Sequence, residues 1–286
     1  MAVTRTIETV GVVGLGAMGT GIAQLALEAG FDTIGHEVEA SRGDAARERI
    51  EHFLTRKVEK GQLEPAARDA AVARLALTTD PADLAGCDLV IEAVFEDLEV
   101  KHAIFRSLEG VVRPDAILAT NTSALSVTEI ASVLERSERA VGMHFFNPAP
   151  LMPLVEIVRA ERTSDDAFEA AYALAGRLGK TPIRCTDTPG FVVNRVLIPL
   201  LNDCVRVLDE TGVTPEDLDE GMKYGAGWPM GPCALLDLVG ADVHVHASEA
   251  LYEKLREPRM APPPHLVRML QAGKLGRKSG EGFYRY

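Results

Sequence analysis

Hydrophobic positions along the first two thirds of the chain follow two alternating patterns: short apolar runs, and longer stretches with apolar residues three or four apart. The short runs predict β-strands and the longer stretches predict helices. The predicted strands span residues 10–13, 31–34, 89–91, 116–118, 140–146 and 154–158. The clearest predicted helices span 22–29, which ends at Gly30, and 40–60. Such alternation predicts a mostly parallel sheet covered by helices on both faces.

The pattern changes close to Asp187, beyond which the chain keeps only helical periodicity. Four later segments are predicted helices: 192–210, 215–223, 232–254 and 266–272. We therefore predict two domains, 1–187 and 188–286, with the boundary inside 186–190. A chain of 286 residues, 47% hydrophobic and 25% charged, is typical of a globular protein of this size.

The net charge and the cysteines limit the functional classes that fit the chain. A formal net charge of -12 argues against general binding to nucleic acids or anionic membranes, because both need a basic surface. An anionic ligand held in a local pocket stays compatible with this charge. The cysteines show neither CxxC nor metal-type spacing, so we expect reduced thiols, no metal site and a cytoplasmic location. They are Cys87, Cys185, Cys204 and Cys233.

One uncharged segment, 9–27, has the length of a membrane span. Its glycines make it a poor continuous helix, and the acidic residues Glu8 and Glu28 flank it. The start of the chain shows no secretory signal pattern. We therefore predict a strand, a turn and a helix in this segment, and no membrane association.

The turn inside that segment reads Gly14-Leu15-Gly16-Ala17-Met18-Gly19. A preceding strand, a following helix and an acidic residue roughly twenty positions on form the context of a dinucleotide-binding turn. Gly14 allows the tight turn, Gly16 lets a pyrophosphate approach, and Gly19 lets the helix pack on the strand. The alternative is a purely structural glycine turn.

Glu37 is the acidic residue of this pattern. It would bind ribose hydroxyls and repel a 2′-phosphate, which favours NAD over NADP, although Arg42 nearby weakens the preference. The alternative is a solvated glutamate. We predict an α/β protein, with a Rossmann-type, mostly parallel sheet domain followed by an all-helical C-terminal domain.

A histidine and a glutamate on neighbouring predicted strands form a candidate proton-transfer pair. His144 falls at the end of one strand and Glu156 lies on the next, so the side chains can lie side by side. A carboxylate bonded to one ring nitrogen would fix the tautomer and leave the other nitrogen to accept a hydroxyl proton. With a dinucleotide as hydride acceptor, the pair would oxidise an alcohol. On spacing alone, a histidine at a strand end is more often a hydrogen-bonded structural residue.

Two polar stretches are further candidates for ligand contacts. Asn121-Thr122-Ser123 follows an apolar strand, and Asn194 begins the helical region. Turn formation or helix capping explains the first stretch equally well, and a cap or an inter-domain hydrogen bond explains Asn194.

Together, these motifs resemble the L-3-hydroxyacyl-CoA dehydrogenases of fatty-acid β-oxidation, and among them the stand-alone bacterial 3-hydroxybutyryl-CoA dehydrogenases. The resemblance runs from end to end, and its ordered matches are more specific than any single motif. The matching segments are 14–19, 121–123, 144–148, 187–195, 225–232 and 280–284.

The resemblance implies residue roles and a reaction. His144 would be the catalytic base and Glu156 its partner, while Ser123 and Asn194 would bind the substrate in the oxidation of a 3-hydroxyacyl-CoA. Lys57 and Lys60 are candidates for a CoA contact, although a solvated helix face explains them equally well. The implied NAD contacts are Gly14, Gly16, Ala17, Met18, Gly19, Glu37, Ala93, Glu96, Lys101, Asn121, Ser123 and Asn147. The resemblance also implies a homodimer formed through the C-terminal domain.

Three alternatives stay open at this point. The 3-hydroxyisobutyrate and 6-phosphogluconate dehydrogenases share the glycine turn, but they use a catalytic lysine where this chain has Asn194 and Arg195. A relative acting on a non-CoA 3-hydroxy acid or a sugar acid would keep the same motifs. A non-catalytic relative, such as a lens crystallin, would keep the fold and the cofactor site.

Overall fold

The computed structural model describes residues 6–286, and residues 1–5 of the first predicted domain lie outside the described residues. The chain divides into two compact units, one ending at Thr188 and one running from Pro189 to Tyr286. We call them the sheet unit and the helical unit.

The sheet unit is built on one eight-stranded sheet within the described residues. Its strands are β1 (Thr9–Val13), β2 (Asp32–His36), β3 (Leu75–Thr78), β4 (Leu89–Glu92), β5 (Ile117–Thr120), β6 (Ala140–Phe145), β7 (Leu154–Arg159) and β8 (Thr181–Thr186). They lie in the order β3-β2-β1-β4-β5-β6-β7-β8, and β6–β7 is the antiparallel pair in an otherwise parallel sheet. The strand order reverses direction between β1 and β4. In open α/β sheets, ligands bind outside the carboxyl ends of the strands at such a point.

Helices cover both faces of this sheet. They are α1 (Ala17–Glu28), α2 (Ala40–Glu59), α3 (Pro65–Ala73), α4 (Leu98–Val111), α5 (Val127–Ala131) and α6 (Asp165–Arg177), with 3₁₀ helices at Pro81–Gly86 and Ser137–Arg139. Side chains of a strand alternate between the two faces. Accordingly, Leu89 and Ile91 join one buried cluster with α1, α2 and α6, whereas Val90 joins a second with α4 and α5. The predicted sheet covered on both faces is confirmed.

Two strands of the sheet have no counterpart in the prediction. β3 buries only Leu75 fully, and β8 is mostly exposed or half-buried. Both lie at the edges of the sheet, where one side is open and an apolar run is not required. β8 also carries Pro182, a residue that sheets tolerate mainly at their edges.

The helical unit confirms the predicted all-helical second domain. Its helices are α7 (Val193–Thr211), α8 (Pro215–Glu220), α9 (Pro232–Val239), α10 (Ala241–Leu255) and α11 (Pro264–Gln271), with a π-helical turn at Gly221–Gly225 and 3₁₀ helices at Pro258–Met260 and Arg277–Ser279. The single helix predicted over 232–254 is wrong. Gly240 adopts φ +102°, outside the helical region, and separates α9 from α10.

Two buried aspartates of the helical unit lie against the two glycine-rich segments near its end. Asp237 accepts the N–H groups of Phe283 and Tyr284, each at 2.9 Å. Asp219 accepts the N–H of Cys233 at 2.7 Å and the hydroxyl of Tyr284 at 2.9 Å. The two aspartates therefore attach the last residues of the chain to α8 and α9.

The uncharged segment 9–27 forms β1 and most of α1, as predicted. Among residues 6–286, no helix has both the length and the apolar character needed to cross a membrane. The cysteines Cys87, Cys185, Cys204 and Cys233 are free and buried. Burial raises the pKa of the Cys185 thiol to about 12, an effect that the carboxylate of Glu156 reinforces.

Candidate active site

The turn between β1 and α1 has the geometry of a phosphate cradle. Gly14 adopts φ +87°, and a Cβ there would lie 2.6 Å from Cγ1 of Val94. A Cβ on Gly19 would collide with the carbonyl oxygen of Gly14, whereas Gly16 has no heavy atom within 4 Å of its Cβ position. Gly16 is also the N-cap of α1 and has no side chain to cap it. The first N–H groups of α1 thus suit an anionic ligand, so the turn fits the pyrophosphate of a dinucleotide.

Glu37 follows β2 directly and contacts this turn. Its Oε2 accepts the N–H of Leu15 at 2.9 Å, and its Oε1 accepts the N–H of Val38 at 3.1 Å. Arg49 of α2 donates to the carbonyl oxygen of Leu15 at 3.2 Å, a contact that the sequence did not indicate. Arg42 pairs with Glu39 at 3.4 Å. The carboxylate of Glu37 therefore lies beside the glycine turn.

A fully buried glutamate, Glu92, ends β4 and was missed in the sequence. Its Oε1 lies 2.6 Å from Nζ of Lys101, and its Oε2 accepts the hydroxyl of Thr120 at 2.7 Å. Lys101 is only 1% exposed, so its ammonium group faces carboxylates rather than solvent. The N–H of Ala93, next in the chain, donates to the carbonyl of Val13 at 2.8 Å. The sequence does carry a sign of Glu92: a carboxylate directly follows the apolar run 89–91.

Glu96 organises the loop after β5. One of its carboxylate oxygens accepts the hydroxyl of Thr122 at 2.6 Å and the N–H groups of Ser123 and Ala124 at 2.8 Å each. Burial acts to raise the pKa of Glu96, but the ammonium group of Lys101 and these hydrogen bonds outweigh it and lower the pKa below its ordinary value. Ser123 is exposed, and its hydroxyl lies 3.4 Å from the same oxygen of Glu96.

His144 and Glu156 lie directly opposite each other on β6 and β7. Nδ1 of His144 is 2.7 Å from Oε2 of Glu156, and both side chains are buried. The ring of Phe146 lies 4.6 Å from the imidazole, centroid to centroid. A carboxylate on Nδ1 keeps a proton on that nitrogen, which makes Nε2 the acceptor of the neutral ring. The pair has the geometry of a general base with its orienting carboxylate.

The polar residues around the end of β6 differ in their contacts. Asn121 accepts the N–H of Phe145 on its Oδ1 at 2.9 Å and so connects the ends of β5 and β6. Asn147 is exposed after β6, and its peptide bond to Pro148 is cis. The sheet unit thus brings together the glycine turn, Glu37, and the residues that end β4, β5 and β6.

The remaining predicted residues lie elsewhere. Asn194 follows the first residue of α7 in the helical unit and is half-buried. Nζ of Lys57 lies 2.6 Å from Oε2 of Glu28, which ends α1. Lys60 is exposed at the C-cap of α2.

Both units match one known family. Residues 9–188 match the family described as 3-hydroxyacyl-CoA dehydrogenase, NAD binding domain, and residues 190–286 match 3-hydroxyacyl-CoA dehydrogenase, C-terminal domain. The chain belongs to the 3-hydroxyacyl-CoA dehydrogenase family. This confirms the family predicted from the sequence, and the match of the sheet unit confirms NAD as the cofactor of this 3-hydroxyacyl-CoA dehydrogenase.

Individual members of the family are similar to this chain over almost their whole length. It is 44% identical over 276 residues to the probable 3-hydroxybutyryl-CoA dehydrogenase of Deinococcus radiodurans, covering 96% of this chain and 99% of the relative. It is 44% identical over 282 residues to the 3-hydroxybutyryl-CoA dehydrogenase of Mycobacterium tuberculosis, covering 98% and 99%. The crystal structure of (S)-3-hydroxybutyryl-CoA dehydrogenase from Ralstonia eutropha matches with a TM-score of 0.95 at 41% identity, covering 98% of this chain and 99% of that one.

Proposed function

We propose that the protein oxidises (S)-3-hydroxyacyl-CoA thioesters to 3-oxoacyl-CoA with NAD⁺, producing NADH and a proton, and that 3-hydroxybutyryl-CoA is its main substrate. The buried His144–Glu156 pair at 2.7 Å, at the carboxyl end of β6, carries this proposal. It provides a proton acceptor in the same unit as the dinucleotide turn. The names of the similar proteins support the substrate.

The residues that would hold NAD fall into two groups. The glycine turn and the first residues of α1 would bind the pyrophosphate, and Glu37 would bind the adenosine ribose. The nicotinamide side would be held by Ala93, Glu96, Asn121, Ser123 and Asn147, with Lys101 acting through Glu96, which it contacts at 3.4 Å. When bound, NAD⁺ supplies the acceptor for the hydride that leaves C3 of the substrate.

His144 handles the proton of the reaction. Its Nε2 accepts the proton of the C3 hydroxyl as that oxygen becomes a carbonyl, and in the reverse direction the same atom donates it. The carboxylate of Glu156 stabilises the imidazolium that forms, a charge that grows toward the transition state. The pair is buried, so few water molecules weaken this interaction.

Four residues are proposed substrate contacts. The hydroxyl of Ser123 and the amide of Asn194 would hydrogen-bond oxygens of the 3-hydroxyacyl group. Lys60 is the stronger candidate for a phosphate of CoA, because it is exposed whereas Lys57 is paired with Glu28.

We propose a homodimer formed through the helical unit, in a reducing cytoplasm. Apolar side chains exposed on this unit support the dimer, among them Val196 of α7, 62% exposed, and Val243 of α10, 51% exposed. The free, buried cysteines support a reducing cytoplasm. Light scattering in solution tests the dimer, and a monomeric mass would overturn it.

The proposed activity is tested by following NADH absorbance with acetoacetyl-CoA as oxidant. Parallel reactions use NADPH in place of NADH, and free acetoacetate in place of the thioester. We expect turnover only with NADH and the thioester. Turnover of free acetoacetate at a similar rate would favour a non-CoA hydroxy acid, and NADH binding without any turnover would favour a non-catalytic relative.

A further inference from the structure

The loop that follows β6 has little means of holding its own shape. It contains three prolines, Pro148, Pro150 and Pro153, which lack an N–H group and cannot donate hydrogen bonds. The N–H groups of Leu151 and Met152 both donate to the carbonyl of Pro148, each at 3.0 Å. The carbonyls of the other loop residues therefore need donors from outside the loop.

Lys180 supplies those donors. Its Nζ lies 2.6 Å from the carbonyl oxygen of Ala149, 2.9 Å from that of Met152 and 3.3 Å from that of Pro150. An ammonium group has three N–H donors, which matches this number of carbonyls. The backbone of Thr181 adds a fourth contact, its N–H donating to the carbonyl of Pro153 at 2.7 Å.

The end of α6 determines the position of Lys180. Gly179 adopts φ +74°, and its N–H donates to the carbonyl of Gly176, while the N–H of Lys180 donates to that of Ala175. These two bonds form a Schellman motif, which ends a helix in a fixed geometry. Lys180 thus leaves the helix in one defined direction, immediately before β8.

A buried lysine in this place is costly, and its contacts must offset the cost. The side chain is only 8% exposed. Burial lowers the pKa of Lys180, the carboxylate of Glu28 acts to raise it, and the ammonium group of Lys57 acts to lower it. An uncharged residue of similar length would avoid this desolvation penalty. The charge is useful here because it strengthens three hydrogen bonds to carbonyls at once.

The loop also packs on α1. A Cβ added to Gly21 of α1 would lie 2.9 Å from Cδ of Pro150, so the loop and this helix are in close contact. The loop therefore contacts both α1 and Lys180. It begins with Asn147, three residues after His144 and a proposed cofactor contact.

We propose that Lys180 is a positioning residue for the 147–153 loop, and through it for Asn147 on the cofactor side of the site. The expected effect of this role on catalysis rests on the proposed function. The anchoring of the loop itself does not depend on that function.

The test compares two variants. Lys180→Met keeps the length of the side chain but removes its charge and its N–H donors, whereas Lys180→Arg keeps the charge and the donors. Arg139→Met is the matched control. Arg139 is 5% exposed and donates to the carbonyl of Arg113 at 2.9 Å, but it precedes β6 at the end remote from His144. Each variant is measured by hydrogen–deuterium exchange of the loop, by NADH binding, and by kcat and KM for NADH in the reduction of acetoacetyl-CoA.

We expect faster exchange at the amides of Asn147, Ala149, Leu151 and Met152 in Lys180→Met, and a value of kcat/KM for NADH lowered by at least about 10-fold because a small displacement of a binding group is costly. Lys180→Arg should lie between this variant and the wild type. Arg139→Met should lose stability without either effect.

Equal loop exchange and equal kcat/KM for NADH in Lys180→Met and Arg139→Met would overturn the proposal. Faster exchange with an unchanged kcat/KM for NADH would overturn the link from the loop to the site. A wild type without turnover would instead overturn the proposed function, and loop exchange and NADH binding would still decide the role of Lys180.

Discussion

Nδ1 of His144 lies 2.7 Å from Oε2 of Glu156 across the antiparallel pair β6–β7, in direct register. The two residues are twelve positions apart in the chain, and the strand pairing fixes their contact. The strand pairing places the two residues opposite each other, and the carboxylate of Glu156 orients the imidazole. A general base held in this way would need little reorganisation during turnover.

Replacing His144 with glutamine should remove the proposed proton acceptor and leave the cofactor site intact. We expect His144→Gln to lower kcat by about 10²–10⁴-fold, the usual contribution of general acid–base catalysis. NADH binding, measured by fluorescence, should stay close to that of the wild type. Loss of NADH binding in a folded variant would contradict the assignment.

Glu156→Gln tests the carboxylate separately. Glutamine keeps the size of the side chain but cannot stabilise an imidazolium, so kcat should fall on the order of 10²-fold. The affinity for NADH should change little. Wild-type kcat in this variant would remove Glu156 from the mechanism and leave it a structural partner of His144.

Glu37 should determine the preference between the two nicotinamide cofactors. Glu37→Gln keeps an oxygen that can accept the N–H of Leu15 but removes the charge that repels a 2′-phosphate. We expect KM for NADPH to fall and KM for NADH to rise. Glu48→Gln, which removes an exposed carboxylate on α2, is the control and should keep the NADH preference. An unchanged KM ratio in Glu37→Gln would show that other groups select the cofactor.

The buried pair Glu92–Lys101 should be coupled in stability. Lys101→Met leaves the buried carboxylate of Glu92 without its partner at 2.6 Å, which typically costs about 3–5 kcal/mol of unfolding free energy. Glu92→Gln should cost less, because Lys101 keeps Glu96 at 3.4 Å. The double variant removes both charges and should be clearly more stable than the sum of the two losses implies. Urea unfolding of the four proteins measures this coupling. Additive losses would mean that the two charges act independently.

The features predicted from the sequence are those that a local pattern encodes. The glycine turn, Glu37 and the strands carrying His144 and Glu156 all follow from periodicity and motif context. Glu92 and Lys180 were missed because each is a single charge whose partners, a distant side chain and backbone carbonyls, leave no repeating pattern.

The prediction of one continuous helix over 232–254 failed for a related reason. A glycine inside a helix costs only about 1 kcal/mol, so Gly240 did not interrupt the apolar periodicity on either side. Tertiary packing sets its position beside Asp242 and Lys278. A Cβ added to Gly240 would lie 2.9 Å from an atom of each. Local patterns therefore recover elements and motifs, whereas packing decides where the elements end.

A buried histidine should make the stability of the protein depend on pH. Nε2 of His244 lies 2.8 Å from Oδ1 of Asn202, whose amide nitrogen donates to carbonyls that include those of Arg259 and Met260. Oδ1 therefore accepts, and His244 donates as a neutral ring. Burial lowers the pKa of His244 from 6.5 to about 4.

Between these two pH values the unfolded chain binds a proton that the folded protein excludes, so the free energy of unfolding should fall as the pH falls from 6.5 to about 4. The full loss is on the order of 3 kcal/mol, from 1.36 kcal/mol per pKa unit. His244→Gln keeps a donor for Asn202 but does not titrate, and should show a shallower decline in urea unfolding across this range. His246→Gln, at an exposed position of the same helix, serves as the control and should keep the wild-type slope. Equal slopes in His244→Gln and the wild type would mean that His244 binds protons equally in the folded and unfolded states.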